Sequence, residues 1–253
     1  MAKLYQIGVG LQYWRVELSM KLKFFLVSFK IGFWIILRLT MEGTMIRAVI
    51  FDFGNVIASF DYQGIVQRLS PFSGFSTADL EQQLRQSIPF FQRFETGSIV
   101  GDAFYREFVD LTRLRLGKEE LMQMFADIFS PISFTCDLLP RLKPRYRLGL
   151  LSNTNPWHFE RVIRHTAVFP LFDAVSLSFQ VGAMKPDPRI YQDMLHKLDL
   201  PPAECVFIDD LQENVTAAHN LGLAAILYTT PDTLLTALKS LSIQLAPPSL
   251  RSR

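Results

Sequence analysis

Three observations predict an α/β fold, with a doubly wound parallel sheet and a helical insert after its first strand. Short apolar runs alternate with helical stretches through the second half of the chain, a pattern that calls for parallel pairing and helices on both sheet faces. A long interval with helical periodicity and no strand signal follows the first apolar run. Several helical stretches open on a capping residue followed by proline.

The first strand is read at residues 47–51 (RAVIF), which ends in Asp-Phe-Gly-Asn, a turn sequence. The remaining strands are read at 148–152, 174–178, 205–208 and 224–228. Asn155-Pro156, Asp187-Pro188 and Thr230-Pro231 mark helix starts, and Gly222 closes the helix that begins near Gln212. In the insert, Phe104, Phe108, Leu111 and Leu114 fall on one helical face, and Leu121, Met124, Phe125 and Ile128 repeat the pattern. The spacing predicts an all-helical insert of about four helices over 61–132. The sheet domain then comprises 45–60 and 133–245, and the tail 246–253, with Pro247-Pro248, is expected to fray.

Residues 1–44 differ from the rest. The stretch 24–37 is strongly apolar but interrupted by Lys30, shorter than the roughly 20 residues a spanning helix needs, and followed by no small-residue cleavage site. An extension outside the functional core, such as sequence upstream of a start at Met45, is the leading expectation; an amphipathic surface segment or a short anchor are the alternatives.

Apolar residues at 49% and charged residues at 20% are globular averages, and a membrane partner is not expected. The formal charge of +2 is local: residues 1–44 hold six Lys/Arg and two acidic residues, leaving 20 basic against 22 acidic in the body. A weakly acidic body without a basic run gives no reason to expect nucleic acid as a partner. Cys136 and Cys205 lack CxxC spacing and read as thiols in a reducing, cytoplasmic compartment. The four histidines show no metal-ligand spacing and read as surface or partly buried residues.

Ligands of an open parallel sheet bind beyond the carboxyl ends of its strands. The first strand ends at Asp52, the second at Ser152-Asn153 and the fourth at Asp209-Asp210, while Lys185 follows the third in GAMKPDP. Converging on one rim, carboxylates, a cation, a hydroxyl and an amide suit phosphate chemistry. Asp52 and Asp210 offer hard oxygens for Mg²⁺, the Gly54 carbonyl can add an uncharged one, and Lys185 offsets carboxylate repulsion. Ser152 and the backbone N–H groups after it can donate to phosphoryl oxygens.

Four segments, VIFDFGNVI (49–57), LLSN (150–153), MKPDPRIY (184–191) and VFIDDLQENVTAA (206–218), resemble in order the four motifs of the haloacid dehalogenase superfamily. FETGSIVGDAFYREF (94–108) is similar to the cap of its helical-cap subclass I, in the branch of bacterial glucose-1-phosphatase and the phosphatase domain of soluble epoxide hydrolase. The resemblance implies a Rossmann-like core with a cap, and a Mg²⁺-dependent phosphatase acting on a small phosphate ester, a sugar phosphate favoured, through an aspartyl-phosphate. It implies Asp52 as nucleophile and metal ligand, Gly54 and Asp210 as further metal ligands, and Ser152, Asn153 and Lys185 around the phosphoryl group. Asp209 would support from behind, with Asn214 in place of a second acidic residue.

The chain departs from the family at Gly54, where most phosphatases carry the aspartate that acts as acid and base. Asp61 could supply that group, though it reads first as the cap of a helix beginning at Tyr62. A non-catalytic Mg²⁺–phosphate module and a metal-free 2-haloacid dehalogenase are the alternatives.

Overall fold

The computed structural model describes residues 45–247. The expectations for 1–44 and for the last residues of the tail, 248–253, lie outside the described residues. Strand β1 (Ala48–Phe51) is fully buried and occupies the centre of a five-stranded parallel sheet. It lies between β4 (Arg147–Ser152) and β6 (Cys205–Asp209), with β5 (Ala174–Leu177) and β7 (Ala224–Leu227) at the edges. All neighbouring pairs are parallel. The chain runs from β1 outward through β4 to β5, then returns to the other side of β1, so the switch point lies between β1 and β6.

Every residue of β1 must satisfy a core on its own face. Val49 and Phe51 point to a cluster completed by Leu138, Leu139 and Leu142 of one covering helix and by Leu234 and Leu238 of another. Ala48 and Ile50 point the other way, against Ile190, Tyr191, Met194 and Leu198. That second packing is close at Gly149, where an added Cβ would lie 2.8 Å from Met194 Sδ and 3.1 Å from Ile50 Cγ1, so a larger residue would make both side chains shift.

Five helices occupy the insert: α1 (Tyr62–Leu69), α2 (Thr77–Gln86), α3 (Ile88–Glu95), α4 (Gly101–Thr112) and α5 (Lys118–Ala126). The all-helical expectation for 61–132 needs correcting. The insert is closed at its base by an antiparallel ribbon of β2 (Ala58–Phe60) and β3 (Phe129–Pro131), in register Ala58↔Pro131 and Phe60↔Phe129. Each of these strands has three residues, too few to display alternation. The insert helices share a core of stacked rings, Phe94 against Phe104 at 4.1 Å and Phe104 against Phe108 at 5.7 Å. Trp157, from the helix Pro156–Arg161 after β4, packs edge-on into that core, 5.3 Å from Phe94 and 5.1 Å from Phe104. Among the described residues no helix is long and apolar enough to cross a membrane.

Candidate active site

The parallel register aligns the ends of β1, β4 and β6, so residues one step beyond them share a rim. There the structure brings together the sequence-predicted residues. Lys185 Nζ lies 2.6 Å from Asp52 Oδ1 and 2.7 Å from Asp209 Oδ2, with its side chain 1% exposed. Carboxylate oxygens of Asp52, Asp209 and Asp210 all lie within 4.8 Å of one another. Gly54, Ser152 and Asn153 line the cavity that opens above them.

Each side chain is held by a nearby element. Asp52 Oδ1 accepts the Phe53 N–H at 2.7 Å as well as the Lys185 ammonium. Among the described residues no donor reaches Asp52 Oδ2. Asp209 is saturated: it accepts from Lys185, from the Leu211 N–H at 2.8 Å, and from Asn214 Nδ2 at 3.0 and 3.1 Å. Asn214 sits on the helix Gln212–Asn220 and is buried. The Asn153 side chain is turned away from the open rim: its Oδ1 accepts the Lys185 backbone N–H and its Nδ2 donates to the Lys185 carbonyl. Its side chain therefore holds the Lys185 backbone, while in the same loop the Ser152 hydroxyl lies 3.4 Å from the Asn153 carbonyl and the Thr154 N–H donates to Ser178 Oγ at 2.9 Å.

Three carboxylates and one ammonium leave two negative charges in excess at the rim. Burial pushes the Asp52 carboxyl up to about 7, and the Asp209 charge adds to this against the lowering effects of Lys185 and the Phe53 N–H. Burial works against the Lys185 ammonium too, yet Asp52 and Asp209 outweigh it and its pKa is raised. A set of hard oxygens short of two positive charges fits a divalent cation such as Mg²⁺.

Three residues that the sequence reading did not single out belong to the site. Asn55 donates from Nδ2 to Asp210 Oδ2 at 3.0 Å, and it does so from a left-handed conformation, φ 52°, that asparagine tolerates in a turn. The Gly-Asn pair after the strand is the signal that could have found it. His158 and Glu95 line the cavity above Gly54. Asn155 Oδ1 accepts the Trp157 and His158 N–H groups, so its Nδ2 donates to His158 Nδ1 at 3.1 Å. That bond places the imidazole proton on Nε2, which is enclosed and has no hydrogen-bond partner among the described residues. Burial lowers the His158 pKa to about 4 and raises that of Glu95 to about 7. Helical position alone carries no signal for either. Asp61 caps α1, accepting the Gly64 N–H at 2.8 Å, and is not among the residues lining the cavity.

Comparison with known proteins agrees with this geometry. A family described as haloacid dehalogenase-like hydrolase matches residues 46–222. The chain is 30% identical over 190 residues to the D-ribitol-5-phosphate phosphatase of Bacteroides thetaiotaomicron, covering 70% of this chain and 89% of that one. It is 28% identical over 190 residues to the sesquiterpene phosphatase astK of Aspergillus oryzae, covering 74% of this chain and 91% of that one. In fold it is similar to the crystal structure of the HAD family enzyme bt-2542 of Bacteroides thetaiotaomicron in complex with magnesium and inorganic phosphate, at a TM-score of 0.66 and 22% identity, over 73% of this chain and 94% of that one. The aligned strand ends, the carboxylate cluster around a buried lysine and the match over most of the described chain lead to one conclusion: the protein belongs to the haloacid dehalogenase-like hydrolase family.

Proposed function

We propose that the protein is a Mg²⁺-dependent phosphatase that hydrolyses a small phosphate ester through an aspartyl-phosphate on Asp52. One observation carries this reading: the Asp52 carboxylate is buried and gripped through Oδ1 by Lys185 and the Phe53 N–H, with no donor at Oδ2, next to carboxylates that need a divalent cation. Asp52 and Asp210, with the Gly54 carbonyl, would hold the ion. Asp209 stands behind them, because its acceptor positions are already filled. Bound there, Mg²⁺ neutralises the approach of one anion to another and polarises the phosphoryl oxygens.

The Asp52 carboxylate then attacks phosphorus, the P–O bond to the alcohol breaks, and water hydrolyses the resulting aspartyl-phosphate. Lys185 favours the ionised form of Asp52 against the effect of burial and would meet the charge that gathers on the equatorial oxygens. Ser152 donates its hydroxyl to the same oxygens. Two unpaired cysteines, Cys136 and Cys205, support a reducing, cytoplasmic setting.

The test is release of phosphate from p-nitrophenyl phosphate. Activity should require Mg²⁺, disappear with EDTA and disappear in Asp52→Asn. Beryllium fluoride, a mimic of the phosphoryl group on an aspartate, should bind the native protein and not the variant. Binding of beryllium fluoride without turnover of any ester would mark a non-catalytic module instead. Turnover of a 2-haloacid without metal would mark a dehalogenase.

A further inference from the structure

We propose that the alcohol part of the substrate is a hydrocarbon body, seated in the cavity above Gly54, so that the enzyme acts on amphipathic phosphate monoesters. The proposal rests on the phosphatase reading and adds the substrate class.

The cavity has a volume of about 590 Å³, in the range of sites that enclose drug-sized ligands, and continues directly from the phosphoryl end at Gly54, Ser152 and Asn153. Its walls are apolar. A ladder of rings leads outward from beside the nucleophile: Phe53 lies 5.8 Å from Phe129, and Phe129 lies 6.4 Å from Phe60. Tyr62, Phe91 and Met184 extend the same lining. Large apolar side chains are also left in the open here. Phe60 is 45% exposed and Ile88 57%, and both belong to this cavity. Single exposed hydrophobics need no explanation, but two converging on one apolar opening mark a binding surface. The rings behind them, Phe94, Phe104 and Phe108, are at most 1% exposed and serve as the insert's own core.

Beyond the Ser152–Asn155 loop, the polar residues of the lining are Tyr62, Arg85, Gln92, Glu95 and His158, a minority among apolar ones. Arg85 is engaged by Glu81 through two bonds, of 3.1 and 2.6 Å, and its guanidinium lies over the Tyr62 ring. Each sugar hydroxyl brought into such a cavity would need a hydrogen bond to replace water, and a mostly apolar lining favours a hydrocarbon over several hydroxyls. Glu95 and His158 report the same dryness independently: burial moves the carboxyl up and the imidazole down, each toward its neutral form. The His158 Nε2–H is enclosed, with the Phe129 and Phe125 rings 5.0 and 6.1 Å from the imidazole, so it offers a polyol no ready donor. Family membership leaves the class open, since relatives of similar identity include a ribitol-phosphate and a sesquiterpene phosphatase.

A series of n-alkyl phosphates from ethyl to decyl, below their micellar concentrations and with Mg²⁺, tests the assignment. kcat/KM should rise about fourfold per methylene until the cavity is filled. Ribitol 5-phosphate and glucose 1-phosphate should do no better than ethyl phosphate. Ile88→Asp and Phe60→Asp, at exposed positions that tolerate the change, should flatten the series; Val100→Asp, which removes an exposed apolar side chain outside the cavity, should not. A flat alkyl series, a polyol phosphate ahead of octyl phosphate, or an Ile88→Asp variant with an unchanged slope would each overturn the proposal. Calorimetric binding of the matching alkylphosphonates separates the two levels. A chain-length slope in binding without turnover of any ester would remove the phosphatase reading and keep the cavity assignment. Turnover of p-nitrophenyl phosphate with a flat series would do the reverse.

Discussion

Asn153 and Lys185, 32 residues apart in the chain, exchange two hydrogen bonds: Asn153 Oδ1 accepts the Lys185 N–H at 2.7 Å and Asn153 Nδ2 donates to the Lys185 carbonyl at 3.0 Å. The amide thus fixes the backbone from which the buried ammonium reaches Asp52 and Asp209. Asn153→Ala leaves a partly buried N–H and C=O unpaired and should lower stability by about 2 kcal/mol in denaturant melts. The loosened lysine should lower kcat by about 10-fold or more, because small displacements of a positioned group are costly. A variant with native kcat would show that this clamp does not set the position of Lys185.

Asn55 acts on the carboxylate proposed to hold the metal, through its 3.0 Å bond to Asp210 Oδ2. Asn55→Ala frees Asp210 to rotate without removing a ligand. Mg²⁺ affinity, read from the metal dependence of turnover and from Mg²⁺-induced shifts in Tm, should fall about 10-fold, as for other residues that orient metal ligands. The metal-free Tm should change much less than the Mg²⁺-bound one.

Gly54 stands two residues after Asp52, where the family resemblance implies an acid, and the structure has room for one: an added Cβ meets nothing closer than Phe60 Cδ1 at 4.0 Å. Gly54→Asp should therefore fold. Across aryl phosphates of graded leaving-group pKa, the native enzyme should slow steeply as the leaving group worsens. The variant should show a flatter dependence and a gain of about 10-fold or more on the poorest leaving groups, since positioned proton transfer contributes roughly 10²–10⁴. A flat dependence in the native enzyme would mean that another group already supplies the proton.

Glu95 and His158 give opposite pH dependences of stability. Glu95 has a folded pKa raised to about 7 from 4.5, so its contribution is whole below 4.5 and is lost as pH rises through 7. His158 has a folded pKa lowered to about 4 from 6.5, so its contribution is whole above 6.5 and is lost as pH falls through 4. Between pH 4.5 and 6.5 the two slopes oppose each other. Glu95→Gln removes one of them. It should raise stability by about 2 kcal/mol at pH 8, allowing for the water that reaches the carboxyl through the cavity mouth, and by almost nothing at pH 4. The remaining histidine should then make the variant visibly acid-labile in melts from pH 7 down to pH 4.

The sequence by itself determined the sheet, its parallel strands and the rim that carries the chemistry. Those features are local: a buried strand must be a continuous apolar run, and the polar residue stands at the strand's last position, as at Ser152 and Asp209, or just after it, as at Asp52. The caps Asp61, Asn155 and Asp187 were legible for the same reason, since each bonds within three residues of itself. Only the tertiary structure decided the rest. Whether Asn153 faces a phosphate or the Lys185 backbone, whether Asn55 reaches Asp210, and whether His158 lies in water or in a dry cavity depend on partners far off in the chain. The ribbon of Ala58–Phe60 with Phe129–Pro131 and the apolar cavity depend likewise on how the insert closes over the sheet. A helical period marks which side chains are apolar; which of them form a core and which line a cavity is set by packing between elements.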